Sequence, residues 1–302
     1  MSSHLSELCK ASEVGPIMER LKQVYPERPN LGCDYDDDDD DDDDAFHLAS
    51  GFTREVHEQM RCTFEGIWGY QDDDGRTALH WAVAMRNFSL AGTLMKAPYF
   101  SLVFSEDHDG ASPFITACMV GAPEEFLKEL LTTAAAQRSW KLTQEQESID
   151  SKQEHVTADV NSGETKSLDD SLMNHKIAIL DQADNLGNTS LLYAAGRGNI
   201  AIVRFLLQLG ASIDHQNKRG QSALHRATSR GTNDVVEELV VTSRKIHSVA
   251  EHRRWMNLQD YHGDTALFYA SMDNNEELGR YLLRHGADRE IRNKEGKAFW
   301  EI

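Results

Sequence analysis

One short sequence frame recurs along the 302-residue chain and constrains its fold more than any other feature. The frame reads Asp or Asn, two variable residues, Gly, one variable residue, Ser or Thr, one variable residue, Leu, two variable residues and Ala. Three copies match it closely, at residues 72–82, 217–227 and 260–270, and two weaker copies lie at 107–117 and 184–194. Each copy precedes a second stretch whose apolar residues have helical spacing. A recurring unit of this kind predicts a stack of repeats.

The positions of the frame have physical reasons. Asp-x-x-Gly is a turn in which Gly supplies a positive φ angle, and the following Ser or Thr caps a short helix. The closing Ala is small enough to let the helices of neighbouring units pack closely. A later Gly-Ala pair, as at Gly210 and Gly286, ends the second helix. Each helix pair is apolar on faces that it cannot bury alone, so the units must stack.

These motifs resemble the ankyrin repeat, and the resemblance covers nearly the whole chain. Its most specific element, Thr-x-Leu-His, is present at 77–80 and, with Ser in place of Thr, at 222–225. The resemblance implies an all-α solenoid of stacked helix-turn-helix units with β-turn fingers. It also implies that partners lie on the concave surface formed by the finger tips and the first helices.

The closing alanines give the register of the array. They are Ala11, Ala49, Ala82, Ala117, Ala194, Ala227 and Ala270. We therefore expect seven full repeats and an abbreviated C-terminal cap that opens at Asn293. The expected organisation is repeats one to four in 1–131, a polar insertion in 132–180, and repeats five to seven with the cap in 181–302.

The insertion follows from the spacing of the alanines. The step from Ala117 to Ala194 is 77 residues, whereas the ankyrin period is about 33. Residues 132–180 are rich in Ser, Gln, Glu and Asp, so we expect a disordered, solvated segment. A degenerate repeat is the alternative, because 168–180 has some helical spacing. A second long step, of 43 residues, adds a basic segment at 244–254, which we expect to lengthen a second helix and its loop.

Acidic charge is concentrated in the N-terminal half. The formal net charge of −19 argues against nucleic acid as a partner. The first 131 residues hold 26 acids and 10 bases, whereas 182–302 hold 15 and 16. Nine acids form the run Asp36–Asp44, which the register places in the finger between repeats one and two. The run has three interpretations: a solvated loop, an acidic finger that attracts a basic protein or a Lys/Arg-rich tail, or a weak Ca²⁺ site.

The same register names the side chains that would face a partner. They lie on finger tips and first helices, and they change from acidic in repeats two to four to basic around 218–230. The candidate contact residues are Asp39, Asp42, Asp73, Asp74, Arg76, Met85, Met119, Arg197, Lys218, Arg219, Arg226, Arg230, Tyr261, His262, Asp264 and Met272. A partner of mixed charge would therefore lie in the groove in one direction only.

The repeats are not accompanied by a motif typical of catalysis or metal binding. The sequence lacks a phosphate-binding glycine loop, His-Glu-x-x-His, Gly-x-Ser-x-Gly and the kinase motifs. His80 and His225 occupy the Leu-His position of the frame, where we expect a structural hydrogen bond. The four cysteines are scattered without paired spacing. We therefore expect no enzymatic activity, no cofactor and no metal.

The sequence thus favours a non-enzymatic scaffold that binds a protein or peptide, and its acidic half favours a basic partner. The alternative is a substrate adaptor or regulatory subunit of an enzyme complex such as a ubiquitin ligase, phosphatase or proteasome. That role needs a second docking surface, which 132–180 or 244–254 would supply. Because no stretch reaches the roughly 18 to 20 apolar residues that span a bilayer, we expect a soluble monomer of the cytoplasm or nucleus.

Overall fold

The computed structural model describes residues 71–96, 103–150 and 168–302. Every regular element in these ranges is helical, as the sequence predicts, apart from isolated β-bridges such as the one between Gln216 and Ser222. The helices are α1 (Ala78–Ala84), α2 (Phe88–Leu94), α3 (Pro113–Val120), α4 (Glu124–Asp150), α5 (Leu168–Leu180), α6 (Ser190–Arg197), α7 (Ile200–Gln208), α8 (Ala223–Arg230), α9 (Asn233–Ile246), α10 (Val249–Met256), α11 (Ala266–Met272), α12 (Glu276–Arg284) and a final 3₁₀ helix (Phe299–Glu301). The first two predicted repeats, with the Asp36–Asp44 run, lie outside the described residues.

The first residue of the frame builds the turn of each finger. Oδ1 of Asp260 accepts hydrogen bonds from the backbone N–H of His262 at 2.8 Å and of Asp264 at 3.0 Å. The same pair of bonds recurs at residues +2 and +4 in the fingers that begin at 72, 184, 217 and 293. Gly263 follows with φ at +82°, a conformation in which Gly carries no steric penalty. The turn is therefore specified by a carboxylate or amide and a glycine.

Capping by the frame starts the first helix of each pair. Thr77 precedes α1, and its Oγ1 accepts from the backbone N–H of His80 at 3.4 Å, while Nδ1 of His80 accepts from the N–H of Thr77 at 3.1 Å. This reciprocal arrangement satisfies two backbone donors that the helix leaves open. The closing alanines in the described part of the chain, from Ala82 to Ala270, are at most 1% exposed. The predicted close packing at these positions is confirmed.

One compact unit contains the described residues of 1–108, 112–114 and 125–179. Its core includes Leu79, Leu90 and Leu127, which are completely buried. The rings of Phe88 and Phe126 lie 5.0 Å apart between centroids. Helices α1 and α2 form the helix pair that the frame at 72–82 predicts.

The prediction that 132–180 is disordered is wrong for 132–150 and for 168–180. Helix α4 continues to Asp150, and α5 begins at Leu168. Burial continues along α4 past residue 131, because the four residues 134–137 are all buried and Oε1 of Gln137 accepts from the N–H of Val103 at 2.8 Å. The polar composition of 132–180 as a whole hides this short buried stretch. Residues 151–167 lie outside the described part of the chain.

The other compact unit contains residues 109–111, 115–124 and 180–302. This unit therefore includes part of the frame at 107–117 together with the C-terminal repeats. The domain boundary predicted at 131 would have separated the two. Its first helices pack in succession, α6 against α8 and α8 against α11, and its second helices α7 and α9 pack likewise. The 3₁₀ helix packs against α11 at the position of the predicted cap.

The 43-residue step contains an additional helix. Helix α9 has 14 residues, and α10 follows it after Ser248, whose side chain accepts from the N–H of Glu251 at 3.3 Å. Trp255 anchors α10, because it is 3% exposed and its Nε1 donates to the backbone oxygen of Ile213 at 3.1 Å. The predicted longer second helix is present, and the predicted loop contains this short, anchored helix.

Candidate binding surface

Backbone hydrogen bonds join the tips of successive fingers. We define the finger tips as the second and third residues of each Asp-x-x-Gly turn. The N–H of Lys218 donates to the oxygen of Leu186 at 3.0 Å, and the N–H of Tyr261 donates to that of Arg219 at 2.8 Å. The bonds from Asn185 to Asp109 and from Lys294 to His262 have the same form, at 2.8 and 2.9 Å. In the other unit, His108 donates to Asp74 at 2.9 Å.

These bonds satisfy the tip backbone and leave the tip side chains to solvent. Tyr261 is 68% exposed and Leu186 is 60% exposed, large values for apolar side chains in a folded protein. Lys218, Arg219 and His262 are also exposed. Tip side chains are therefore displayed at fixed spacing on a hydrogen-bonded edge.

An aromatic and cationic pair joins two successive tips. The Nζ of Lys294 lies 4.4 Å from the ring centroid of Tyr261, within the range of a cation–π contact. The ring of Tyr261 also meets that of His262 edge to face at 6.1 Å. This rigid, half-apolar tip resembles the Tyr anchors that are enriched at protein interfaces.

Tyrosines on the first helices line the same side of the turns. The hydroxyl of Tyr269 donates to Oδ2 of Asp260 at 2.7 Å and accepts from Nε2 of Gln221 at 2.9 Å. The hydroxyl of Tyr193 donates to Oδ2 of Asp184 in the same way. Burial, with the neighbouring carboxylate, raises the pKa of each hydroxyl to about 12. The tyrosines therefore stay protonated and hold their turns rather than acting as acids or bases.

Five cations of the turn at 217–220 and of helices α6 and α8 have no carboxylate partner. Among the described residues, none of their charged nitrogens lies within 4.0 Å of a carboxylate oxygen. We call them the groove cations: Arg197, Lys218, Arg219, Arg226 and Arg230. On the second helices, by contrast, Arg204 pairs with Glu238 and Arg280 with Glu276, each at 2.6 Å. Among the described residues, Arg244, Lys245 and Arg284 on second helices also lack such a partner, so what distinguishes the groove cations is that all five lie on one finger and two adjacent first helices.

Most of the predicted contact residues that are described reach solvent. The exposed ones are Asp73, Asp74, Met85, Arg197, Lys218, Arg219, Arg230, Tyr261, His262 and Met272. Met119 and Arg226 are half-buried. Arg76 is already engaged, because its Nε lies 3.1 Å from Oδ2 of Asp107 and its guanidinium lies 5.0 Å from the ring centroid of Trp81. Asp39 and Asp42 lie outside the described residues.

The assignment of Asp264 to the binding surface is wrong. Asp264 is 7% exposed, and its Oδ1 accepts from Nδ2 of Asn293 at 2.9 Å. Asn188 has the same place in its own finger, and its Oδ1 accepts from Nδ2 of Asn217 at 2.8 Å. When a finger begins with Asn, its Nδ2 is a donor that the turn itself does not use. In both fingers this Nδ2 donates to the residue that follows the Gly of the preceding finger, and that residue is thereby buried. The Asn at 293 was the sequence signal for this contact.

Sequence reasoning missed Leu186 and Lys294. Both stand at tip positions of the frame, Leu186 as the third residue of Asp184–Gly187 and Lys294 as the second residue of Asn293–Gly296. The positions were therefore readable from the register, although the weaker similarity of these frames obscured them.

The histidines of the frame are structural, as the sequence predicts. Nδ1 of His225 accepts from the N–H of Ser222 at 3.1 Å, so Nε2 carries the proton and donates to the oxygen of Asp264 at 3.2 Å. Burial lowers the pKa of His225 below its usual 6.5, and the bond to Asp264 opposes this effect. A buried neutral imidazole with both nitrogens engaged is a packing and capping group.

One contact chain has the residue types of a hydrolase triad. Oγ of Ser243 lies 3.0 Å from Nδ1 of His247, whose Nε2 lies 3.1 Å from Oδ2 of Asp214. Ser243 is completely buried and also contacts Nδ1 of His252 at 2.8 Å. A substrate cannot reach the buried hydroxyl of Ser243. These contacts therefore hold α9 and α10 together.

Metal and thiol chemistry have little support in the described residues. No group of three or more His, Cys, Asp or Glu side chains in these ranges could hold a metal ion. Cys118 is buried, and burial raises the pKa of its thiol to about 12, which keeps it protonated and unreactive. None of the described helices is both long and apolar enough to cross a membrane.

Family comparisons identify the repeats. A model described as ankyrin repeats (3 copies) matches residues 211–293, and a single ankyrin-repeat model matches 186–218. The crystal structure of the ankyrin repeat domain of Bcl-3 superimposes with a TM-score of 0.53 at 22% identity, covering 85% of this chain and 92% of that one. This likeness shows the fold.

Sequence comparison with known proteins gives further relatives. The probable 26S proteasome regulatory subunit p28 of Saccharomyces cerevisiae is 25% identical over 228 residues, which is 75% of this chain and 78% of that protein. The human transient receptor potential cation channel subfamily A member 1 is 33% identical over 112 residues. That alignment covers 37% of this chain and only 9% of the channel.

Proposed function

Since this chain is an ankyrin-repeat protein, we propose that it is a non-enzymatic scaffold that binds a protein or peptide on its finger tips and first helices. The observation that carries this proposal is the hydrogen-bonded edge from Leu186 to Lys294. Its backbone groups are satisfied by neighbouring fingers, while Tyr261 and Leu186 remain largely exposed. A rigid edge with exposed apolar side chains loses little conformational entropy when a partner binds.

Charge supports a partner with both acidic and basic segments. The tips Asp73 and Asp74 are exposed and favour a basic segment, as the Asp36–Asp44 run does at the sequence level. The groove cations favour an acidic one. Long-range attraction between such charges raises association rates and selects one orientation of the partner.

An adaptor role is the second candidate, and helix α10 favours it. Val249 and Ile246 at the junction of α9 and α10 are 89% and 60% exposed. Arg244 and Arg254 nearby are exposed as well. This second apolar and basic surface would bring a substrate or enzyme to the scaffold. A relative named as a proteasome regulatory subunit suits such a role in a larger complex. We place the protein, as a monomer, in the cytoplasm or nucleus.

Selection from a displayed library of random peptides tests the scaffold proposal. The full chain is the target, and selected peptides are then titrated against two double variants. Arg219→Ala with Tyr261→Ala removes tip side chains, whereas Arg204→Ala with Arg280→Ala removes second-helix side chains. We expect the tip variant to lose about tenfold or more in affinity and the other to change by about twofold or less. Equal losses, or loss in the second-helix variant alone, would contradict the proposal.

A further inference from the structure

Arg226 differs from the residues at the same frame position in neighbouring repeats. The position precedes the closing Ala and holds Tyr193, Arg226 and Tyr269 in three successive first helices. Each tyrosine donates its hydroxyl to the Asp that begins its own finger. The finger before Arg226 begins with Asn217 instead, which offers no carboxylate. Arg226 therefore lacks the anchor that its neighbours have.

The side chain of Asn217 is engaged in other hydrogen bonds and does not bond Arg226. Oδ1 of Asn217 accepts from two backbone N–H groups of its own turn, and its Nδ2 donates to Asn188 at 2.8 Å. In the described part of the chain, no carboxylate oxygen lies within 4.0 Å of the guanidinium of Arg226, and its buried Nε has no hydrogen-bond acceptor. Neither Nη group makes a hydrogen bond within the described residues and neither is buried, so these are the donors that a ligand can reach.

A slot in α6 holds the guanidinium. A Cβ built on Gly196 would lie 3.0 Å from Nε and 3.1 Å from Nη2 of Arg226. The planar group thus lies against the backbone of α6, where a Cβ would force it to shift by a few tenths of an ångström. The arrangement keeps the guanidinium of Arg226 in one orientation, as a bidentate contact with a carboxylate requires.

Two more groove cations extend this site along the array. Arg197 and Arg230 each stand three residues after a closing Ala, in adjacent first helices, and both are exposed. Adjacent helices lie about 8–10 Å apart, and a peptide in the polyproline II conformation rises about 3.1 Å per residue and brings every third side chain to the same face. Three residues of a peptide therefore span the distance between equivalent positions on the two helices.

We propose that Arg226, seated against Gly196, binds a carboxylate side chain of an acidic peptide that crosses the first helices α6 and α8. Arg230 stands one turn after Arg226 on α8 and binds the same carboxylate, and Arg197 on α6 binds a second acid, so the peptide carries two acidic residues separated by two others. This inference rests on the scaffold function and adds the chemistry and spacing of the ligand. Lys218 and Arg219 at the finger tip contribute attraction at longer range.

Arginine side-chain resonances of the full-length protein test the site directly. The probes are fluorescein-labelled peptides that contain Glu-Ala-Leu-Glu, its Gln-Ala-Leu-Gln analogue and an isomer with adjacent glutamates. We expect the first peptide to shift the Nε–H resonance of Arg226 and to bind at least about tenfold more tightly than the Gln analogue. The isomer should bind more weakly than Glu-Ala-Leu-Glu, because its acids do not match the helix spacing.

Matched variants assign the affinity to residues. Arg226→Met removes the guanidinium at similar volume, and Gly196→Ala fills the slot without changing charge. Arg204→Met removes an equal charge on a second helix. We expect the first two to weaken the Glu-Ala-Leu-Glu peptide about tenfold and the third about twofold or less. Thermal unfolding of each variant checks that it remains folded, and the Gly196 and Arg226 variants give independent readings of one site.

The outcomes separate this inference from the scaffold function. Suppose that library peptides bind the finger tips, contain no acidic residues and bind Arg226→Met as tightly as the parent protein. This result would overturn the carboxylate site and leave the scaffold function intact. Equal weakening by Arg226→Met and Arg204→Met would overturn it too. Binding of a phosphoserine peptide alone, without Glu-Ala-Leu-Glu, would show that the site takes phosphate. If no peptide bound the Arg219→Ala, Tyr261→Ala variant more weakly than the parent protein, both proposals would be overturned.

Discussion

Nε2 of His225 lies 3.2 Å from the backbone oxygen of Asp264, a residue 39 positions further along the chain. The bond ties the first helix of one repeat to the finger of the next. It requires a neutral imidazole whose Nδ1 accepts from Ser222. The cap of one helix and the stacking of two repeats therefore depend on the same ring.

Acid should destabilise the fold through this ring. Burial lowers the pKa of His225 in the folded protein, so the unfolded chain binds the proton more readily. The contribution of the neutral ring to the unfolding free energy should then be fully present above about pH 6.5 and should decrease as the pH drops below that value. Urea denaturation at about pH 7.5 and pH 5.5 measures the change. His225→Gln should be less stable at the higher pH but lose less on acidification.

His262 provides the control for that experiment, because it is exposed at a finger tip. The unfolding free energy of His262→Gln at about pH 7.5 should stay within about 0.5 kcal/mol of the parent value. Full pH dependence in His225→Gln would contradict the role of the buried ring.

Gly220 is required by both its conformation and its neighbour. Its φ is +74°, and a Cβ there would lie 2.9 Å from the backbone N of Tyr261. Gly220→Ala should therefore lower the unfolding free energy by about 2 kcal/mol or more. Gly296 has a φ of +77° with nothing within 4 Å, so Gly296→Ala should cost only about 1 kcal/mol. Equal costs in chemical denaturation would show that contact between fingers adds nothing.

Ala227 is completely buried at the closing position of its frame. Ala227→Leu would overpack the contact between first helices and should cost about 1–3 kcal/mol of unfolding free energy. Ala250 lies exposed on α10, and Ala250→Leu should change the unfolding free energy by about 0.5 kcal/mol or less. A melting temperature that is unchanged in Ala227→Leu would contradict the tight packing of repeats.

Trp255 should hold the additional helix in place. Trp255→Ala removes a ring that is 3% exposed and should cost about 3–5 kcal/mol. Trp255→Phe keeps most of the ring but leaves the oxygen of Ile213 without its donor, at a cost of about 1–3 kcal/mol. Val249→Ala is the matched surface control. If urea denaturation gave Trp255→Ala a stability close to that of Val249→Ala, α10 would not be anchored as described.

The sequence predicts the repeated parts of the fold well because local chemistry specifies them. Asp260 and Gly263 define a turn by themselves, and the burial of Ala227 follows from its position in the frame. The extension of α4 was not predictable in this way, since its buried turn at 134–137 is short and includes the polar Gln137. The burial of Asp264 depends on an amide from the next finger. The special position of Arg226 also needs three repeats to be compared in space.

Photo-crosslinking of a library-selected peptide tests the binding surface most directly. A benzoylphenylalanine replaces Tyr261 at the finger tip in one protein and Ile246 at the α9–α10 junction in another, positions with 68% and 60% exposure. We predict that the peptide crosslinks through position 261 and that position 246 gives only background. Crosslinking through position 246, with none through position 261, would contradict the assignment of partner binding to the fingers.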